Sequence, residues 1–326
     1  MESNGVAFGA TSTADQVLQC VDLHTTTAVV TGASGGIGLE TARALAARGA
    51  AVVIAGRDSA KLDAALEFIR GSHRGAAVEA MRLDLTSLDS VRAFARQYLE
   101  GHKTLNLLIN NAGVMCTPLG RTSDGFETQF GTNHLGHFLL TNLLSPALVA
   151  ADSARIVNLS SAGHRLSDID FDDPNFEHRA YDPWVAYGQS KTANILCALS
   201  LDTRLRDHDV RAFSVHPGGI RTDLGRYMTS DDIAVMMARM KESDDGSGRG
   251  GFQWKTIPQG AATSVWAATS PTLNGLGGLY CEDCSVAGPV TNESGTSAGY
   301  QPYALDADSA ARLWVLSERL VRDPDR

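Results

Sequence analysis

A glycine-rich turn between an apolar run and an amphipathic segment constrains the fold of this chain more than any other feature. Residues 27–30 predict a buried strand, and residues 37–48 predict a helix with one apolar face. Between them lies Thr31-Gly32-Ala33-Ser34-Gly35-Gly36-Ile37-Gly38. Glycines let a backbone approach a pyrophosphate closely, and a helix N-terminus supplies N–H groups and positive potential. The turn therefore predicts a dinucleotide site, and the alternative is a glycine-rich turn without a ligand.

The alternation of strands and helices continues along the chain. Further strands are predicted at 51–55, 78–83, 105–109, 155–159 and 210–215, with helices at 59–70, 88–99, 126–144 and 185–206 between them. This order predicts an α/β fold: a single-domain, Rossmann-type, doubly wound parallel sheet with helices on both faces. Residues 1–25 would form an N-terminal extension and residues 26–326 the domain. Ligands bind beyond the carboxyl ends of such strands, where Gly32, Arg57, Asp84, Asn111, Ser161 and Pro217 lie.

The residues after the second strand indicate which dinucleotide binds. An acidic residue there would hold the 2′-hydroxyl of NAD, whereas an arginine accommodates the 2′-phosphate of NADP. Gly56 and Arg57 follow this strand, and Asp58 suits the N-cap of the next helix. We therefore expect NADP(H), with NAD(H) less favoured, and the alternative is a solvated arginine.

A tyrosine and a lysine four residues apart suggest proton transfer. Tyr187 and Lys191 lie one turn apart in the helix predicted at 185–206, so they share a face. A free tyrosine has a pKa near about 10, and a neighbouring ammonium lowers that pKa. We expect a general acid/base that works near neutral pH. Many helices carry such a pair by chance, so its weight comes from the glycine turn upstream.

Composition excludes several classes of protein. The net charge of -9 argues against nucleic-acid binding, and no apolar run is long enough for a membrane span. The five scattered cysteines suggest reduced thiols and a cytoplasmic location. Cys281 and Cys284 form a lone C-x-x-C pair, so no metal site is expected.

The segment from about 221 to 258 interrupts the alternation. It contains a helical patch rich in methionine, three acidic residues (Glu242, Asp244 and Asp245) and a glycine-serine run through Gly251. Methionines usually belong to a core, but an adaptable wall over a substrate is the interpretation we favour here. The segment is therefore predicted to be a substrate lid. Its methionines are Met228, Met236, Met237 and Met240.

Five motifs in order resemble the short-chain dehydrogenase/reductase family over roughly residues 26–285. They are Thr31-Gly32-x-x-x-Gly36-x-Gly38, Asn110-Asn111-Ala112-Gly113, Ser161, Tyr187-x-x-x-Lys191 and Pro217-Gly218. The stretches Asn133-His134-Leu135-Gly136-His137-Phe138 and Ser161-x-x-His164-Arg165 resemble its retinol-dehydrogenase-like, WW-domain-containing-oxidoreductase-like branch.

The resemblance implies a catalytic tetrad of Asn133, Ser161, Tyr187 and Lys191. Tyr187 would exchange a proton with the substrate oxygen, Ser161 would hydrogen-bond that oxygen, and Asn133 would support a water relay. His134, His137 and His164 have no role in that scheme and are expected to be structural or surface residues. The implied cofactor residues are Gly32, Ser34, Gly36, Ile37, Gly38, Arg57, Asp84, Leu85, Asn111, Ala112, Gly113, Tyr187, Lys191, Pro217, Gly218, Ile220 and Thr222.

The resemblance implies an NADP(H)-dependent oxidoreductase that interconverts an alcohol and a ketone or aldehyde. Its partner would be a small, apolar alcohol or carbonyl compound, and a homo-oligomer formed through the long helices is an expectation of the family. Two alternatives remain at this point. One is an NADPH-dependent reductase of the C=C bond in an enone, and the other is a silent protein that senses NADP(H).

Overall fold

The computed structural model describes residues 7–242, 253–290 and 298–322 and contains a central sheet of eight strands. The strands lie in the order β10-β9-β6-β5-β4-β1-β2-β3 and are parallel, except that β10 runs antiparallel to β9. The predicted doubly wound parallel sheet is therefore confirmed. The strands are β1 Thr27–Thr31, β2 Ala51–Gly56, β3 Val78–Arg82, β4 Leu107–Asn110, β5 Ala154–Leu159, β6 Val210–His216, β9 Leu279–Glu282 and β10 Ser285–Val286.

Helices cover both faces of this sheet. They are α1 Ala14–Val17, α2 Gly36–Ala46, α3 Ser59–Ser72, α4 Leu88–Gly101, α5 Thr128–Phe130, α6 Gly136–Val149, α7 Pro183–Leu205, α8 Ser230–Glu242, α9 Ile257–Thr269 and α10 Ala307–Val321. Apolar residues of α4, α6, α7 and α10 form one core with the sheet, and those of α1, α2, α3 and α9 form the other.

The strands have two buried faces because helices lie above and below them. All six residues of β5 are buried, and Val29 and Val30 of β1 are each fully buried in different cores. Such strands appear in sequence as continuous apolar runs rather than as alternating patterns. The strand order reverses between β1 and β4, and a ligand site is expected beyond the carboxyl ends at this point.

The N-terminal region packs onto the domain. Thr13 caps α1, and its hydroxyl accepts from the Gln16 N–H while the Gln16 side chain accepts from the Thr13 N–H. This capping box places the start of the helix at Ala14. Leu18 is fully buried in the core that contains α9.

The helix predicted at 126–144 is interrupted. After α5, residues Gly131–Leu135 form a π-helical turn before α6 begins. A Cβ on Gly136 would lie 2.7 Å from the Leu85 carbonyl oxygen, so the chain passes very close to the loop after β3 here. Single π turns inside helices often lie at functional sites.

The predicted lid is described only in part. Residues 219–220 (β7) and 254–255 (β8) form a small parallel sheet that was not anticipated, and α8 lies between them in the chain. Met237 is 42% exposed, so it is not a core residue. The glycine-serine run with Gly251 and the acidic residues Asp244 and Asp245 lie outside the described residues, as do the side chains of Met240 and Glu242. No helix in the described ranges is both long and apolar enough to cross a membrane.

Candidate active site

A cleft of about 630 Å³ lies at the carboxyl ends of the central strands. Its walls come from the glycine turn, the loops after β2, β3, β4, β5 and β6, and helix α7. The cleft brings together every residue predicted for cofactor binding: Gly32, Ser34, Gly36, Ile37, Gly38, Arg57, Asp84, Leu85, Asn111, Ala112, Gly113, Tyr187, Lys191, Pro217, Gly218, Ile220 and Thr222.

Close packing explains the glycines of the turn. A Cβ on Gly38 would lie 2.4 Å from Asn111 Nδ2 and 2.6 Å from the Gly32 carbonyl oxygen. Asn111 Nδ2 donates to the Thr31 carbonyl at 2.8 Å, which fixes the loop after β4 to the end of β1. Gly36 has φ +56°, a left-handed conformation that glycine adopts without strain.

The N-terminus of α2 is suited to phosphate groups. Gly35 is the N-cap residue, and no side-chain hydrogen bond caps this end among the described residues. Helix N-termini present unpaired N–H groups and positive potential, which favour bound anions. The glycines of the turn also leave space for a ligand, since a Cβ on Gly35 would have no atom within 4 Å. These residues therefore fit the pyrophosphate of a dinucleotide.

Ser161 and Tyr187 meet in this cleft. Tyr187 lies in the second turn of α7, which Asp182 caps through the N–H groups of Trp184 and Val185. The side chains of Tyr187 and Ser161 are adjacent, because both lie beside Gly163 and a Cβ there would be 3.4 Å from Ser161 Oγ. A Cβ on Gly163 would lie 2.7 Å from Tyr187 Cε1, so this glycine leaves space for the ring.

Ser160 has a different role from its neighbour. Its hydroxyl donates to the Lys191 carbonyl at 2.8 Å and is buried in this contact with α7. Ser161 is therefore the serine of the pair whose hydroxyl faces Tyr187, as the sequence suggested.

The Lys191 ammonium is buried behind the phenol. It donates to the Leu159 carbonyl at 3.1 Å and lies 5.6 Å from the centroid of the Tyr187 ring. Burial lowers the pKa of Lys191 to about 8. An ammonium carries three donors, and the Leu159 bond uses one of them, so the group retains capacity for hydroxyl groups of a ligand.

The expected lowering of the Tyr187 pKa is wrong for the protein without ligand. Burial raises the pKa of Tyr187 to about 12, and the Ser161 hydrogen bond offsets only part of this effect. Desolvation disfavours the charged phenolate, and in this state it outweighs the interaction with Ser161, which favours that form. Tyr187 is therefore protonated at neutral pH in this state.

Asn133 lies behind the wall of the cleft. The residue is fully buried in the π turn, where its Oδ1 accepts from the Val114 N–H at 2.8 Å. Its Nδ2 donates to the Val114 carbonyl and to Ser190 Oγ, each at 2.9 Å. Asn133 thus joins the loop after β4 to α7. The water relay implied for it stays a prediction.

Buried histidines support the same walls. His137 contacts the Asn133 carbonyl and Thr31 Oγ1, each at 2.9 Å, and His164 Nδ1 lies 2.6 Å from the Ser161 carbonyl. His134 contacts Ser317 of α10 at 2.7 Å. The expectation of structural histidines therefore agrees with the structure, and none of the three is a surface residue.

The sequence interpretation missed several residues of the site. His216 Nδ1 accepts from the N–H groups of Ala162 and Gly218, which links the loops after β5 and β6. Lys61 and Arg226 also line the cleft. The position of Lys61 in the first turn of α3 could have indicated it, whereas no local pattern indicates Arg226. In the described ranges, no group of three or more His, Cys, Asp or Glu side chains could hold a metal ion.

Comparison with known proteins places the chain in a family. The family model described as short chain dehydrogenase matches residues 26–233. Short-chain dehydrogenase TIC 32 B, chloroplastic, of Brassica napus is 41% identical over 96% of this chain and 94% of its own length. Retinol dehydrogenase 13 of Homo sapiens is 41% identical over 90% of this chain and 84% of its own length.

A solved structure agrees with this placement. The crystal structure of an uncharacterized protein from Mycobacterium Paratuberculosis has a TM-score of 0.70 and 36% identity, over 95% of this chain and 97% of that one. The family model, the identities and the shared fold lead to the same assignment. The chain belongs to the short-chain dehydrogenase/reductase family, in its retinol-dehydrogenase-like branch, and is an oxidoreductase.

Proposed function

We propose that this enzyme uses NADP(H) to interconvert an alcohol and a ketone or aldehyde, with Tyr187 as the general acid/base. The observation that carries the proposal is the pair of adjacent Ser161 and Tyr187 side chains in the same cleft as the glycine turn. Two hydroxyl donors directed at the carbonyl oxygen of a substrate stabilise the negative charge that develops on that oxygen. The nicotinamide supplies or accepts the hydride, while the protein orients the reactants and moves the proton.

The protonation states suit the reduction of a carbonyl. Burial raises the pKa of Tyr187 to about 12, so the phenol holds the proton that a substrate oxygen would need. Loss of that proton leaves a phenolate near the Lys191 ammonium, which lies 5.6 Å from the ring centroid. The pKa of Lys191, lowered by burial to about 8, keeps most of this ammonium charged at pH 7. Attraction to this charge favours the phenolate.

Arg57 supports a preference for NADP(H). It follows β2 directly, it is exposed, and it lines the cleft together with Lys61. An arginine at this position accommodates the 2′-phosphate of NADP, whereas NAD-dependent relatives of this fold carry an acidic residue. Asp58, the nearest carboxylate in sequence, caps α3 by accepting from the Lys61 N–H at 3.1 Å.

Apolar residues in and beside the cleft suggest an apolar substrate. Val114 and Leu224 line the cleft. A Cβ on Gly225, the residue after Leu224, would lie 3.3 Å from the Met228 sulfur and 4.0 Å from Met115 Cε, so both methionines lie beside this turn. Methionine side chains adapt to irregular apolar ligands. The retinol dehydrogenase name of a relative agrees with such a substrate.

The location of the protein and its oligomeric state are two further expectations from the sequence that we retain as proposals. We propose a cytoplasmic location, which is supported by the five cysteines, none of which forms a disulfide. A homo-oligomer formed through the long helices would have to accommodate α10, which covers part of α7. Ser200 Oγ of α7 donates to the Ala310 carbonyl at 2.9 Å, and the Arg204 guanidinium lies 4.2 Å from the Trp314 ring centroid.

The variant Tyr187→Phe tests the role of the phenol. We expect it to lower turnover by a factor of about 100 or more, since positioned acid/base groups contribute about 10²–10⁴. NADPH affinity should change little. Tyr98→Phe is the matched control, because Tyr98 is also buried. Its hydroxyl donates to the carbonyl of Thr104, which precedes β4 and so lies at the amino ends of the strands, away from the cleft. Full turnover by Tyr187→Phe would refute the proposal.

Product analysis separates the alternatives. With an enone substrate, a carbonyl reductase gives an allylic alcohol, whereas a C=C reductase gives a saturated ketone. NADPH binding without oxidation across a panel of aldehydes and ketones would favour the silent sensing protein.

A further inference from the structure

A second arginine approaches Arg57 from the predicted lid. Arg226 follows the 3₁₀ turn Asp223–Gly225 and lines the same cleft as Arg57. Interaction with the side chains of both arginines, Arg226 first, lowers the pKa of the Tyr227 phenol, and the Arg226 guanidinium lies 4.7 Å from the centroid of the Tyr227 ring. Arg226 itself is held by a bond from Nη1 to the Asp223 carbonyl at 2.8 Å. Two distant parts of the chain therefore meet at the end of β2.

The surroundings of this pair suit a phosphate. Arg57, Lys61 and Arg226 are exposed cations that line one cleft. Ser34 adds a hydroxyl near them, 3.7 Å from where a Cβ on Gly56 would lie. Guanidinium groups bind phosphate oxygens with short, charge-assisted hydrogen bonds, often two at once. A dianionic group would also relieve the repulsion between like charges held close together.

The carboxylates of this region are largely engaged in local structure. Asp58 accepts from the Lys61 N–H at 3.1 Å, and Asp84 accepts from the N–H and hydroxyl of Thr86 at 3.0 and 2.7 Å. Asp223 also lines the cleft, and its carbonyl holds Arg226. The carboxylates of Asp58 and Asp84 thus order the helix or loop that presents a neighbouring cleft residue. None of the three carboxylates is described in an ion pair with Arg57 or Arg226.

We propose that Arg226 is a second ligand of the NADP 2′-phosphate, so that Arg57 and Arg226 hold this group from opposite sides of the cleft. The inference rests on the proposed use of NADP(H) and assigns to the lid a part of the cofactor site. Arg226 is separated from α8 by only three residues. Binding of the 2′-phosphate therefore restrains the start of the lid, and a dinucleotide without that phosphate does not.

Binding of two nucleotide fragments to the full chain tests whether Arg57 and Arg226 together hold the 2′-phosphate. Adenosine 2′,5′-bisphosphate carries the 2′-phosphate, and adenosine 5′-monophosphate lacks it. In Arg226→Ala we expect about a tenfold loss of affinity for the bisphosphate, the loss typical of one charge-assisted bond. Affinity for the monophosphate should stay within a factor of about two. Arg319→Ala, which removes an exposed arginine of α10 outside the cleft, should change neither value.

The outcomes distinguish this inference from the proposal on which it rests. If Arg226→Ala keeps the bisphosphate affinity while Arg57→Ala loses it, Arg57 alone holds the phosphate and the proposed role of Arg226 is refuted. If the unmodified protein binds both fragments equally, the NADP(H) preference itself fails. Arg226 is exposed, so its replacement should leave folding intact, and calorimetric melting of each variant checks this.

Hydrogen–deuterium exchange tests the coupling to the lid. We expect peptides covering residues 221–238 to exchange more slowly with the bisphosphate than with the monophosphate. In Arg226→Ala the two fragments should give equal exchange in these peptides. Equal protection by both fragments in the unmodified protein would contradict the coupling.

Discussion

Replacement of Gly38 by alanine offers a direct test of how the glycine turn is built. A Cβ at this position would lie 2.4 Å from Asn111 Nδ2 and 2.6 Å from the Gly32 carbonyl oxygen. The second of these atoms belongs to the backbone of the turn, so relief of the contact requires β1 and α2 to separate. Asn111 Nδ2 would have to give up its 2.8 Å hydrogen bond to the Thr31 carbonyl.

The magnitude follows from these contacts. Overpacking a tight site costs about 1–3 kcal/mol, and a buried polar group that loses its partner costs about 1–3 kcal/mol. Alanine in place of glycine within a helix returns at most about 1 kcal/mol. We therefore expect Gly38→Ala to lower the free energy of unfolding by about 2–4 kcal/mol and to abolish dinucleotide binding.

Urea denaturation of the ligand-free protein measures this change, and Gly71→Ala is the matched control. Gly71 lies in α3, and a Cβ there would have no atom within 4 Å. The same substitution should leave the free energy of unfolding unchanged or raise it by up to about 1 kcal/mol. If Gly38→Ala were as stable as Gly71→Ala, close packing would not be the reason for glycine in this turn.

Three further predictions concern buried polar groups. Arg155→Ala should lower the free energy of unfolding by about 2–4 kcal/mol, because its guanidinium donates to the carbonyls of Ala267 in the last turn of α9 and of Ser270 after it. Arg96→Ala on the exposed face of α4 should change the free energy of unfolding little. A thiol reagent should modify one cysteine quickly, the exposed Cys20, and the other four only in denaturant, because they are buried; fast modification of two or more would contradict the described packing. Four histidines keep a neutral ring in the folded protein, so the unfolded chain binds more protons than the folded protein between pH 6.5 and about 4. The free energy of unfolding, measured by urea titration, should therefore fall by at least about 2 kcal/mol from pH 7 to pH 5. Their pKa values, lowered by burial from 6.5, are about 3 for His134, about 4 for His137, about 4 for His164 and about 3 for His216. Unfolding that is independent of pH over this range would refute the buried neutral state.

Short-range patterns explain what could be predicted. The apolar run before Gly32 and the helix after it lie next to each other in the chain, so their pattern alone indicated the strand, the turn and the helix. The spacing of Tyr187 and Lys191 placed both side chains on one face of α7, and both line the cleft. Arg57 was indicated by its position directly after β2. In each case the residues that determine the geometry are close in sequence.

Elements that depend on distant contacts were not predicted. The π turn before Gly136 forms where the chain passes the Leu85 carbonyl, and β7 pairs with β8 across more than thirty residues of chain. Neither feature has a pattern of apolar residues that would distinguish it in the sequence from an ordinary helix or loop. The same holds for the meeting of Arg226 with Arg57.

The sequence by itself determined the order of strands and helices, the glycine turn and the residue types that enter the cleft. Only the tertiary structure decided that Asn133 supports the wall from behind and that Tyr187 keeps its proton without ligand. The direction of the Tyr187 pKa depends on how completely α7, Ser161 and the surrounding loops exclude water from the phenol. Desolvation is a property of the assembled protein, because every group that packs around the ring contributes to it, and most of those groups are remote in the chain.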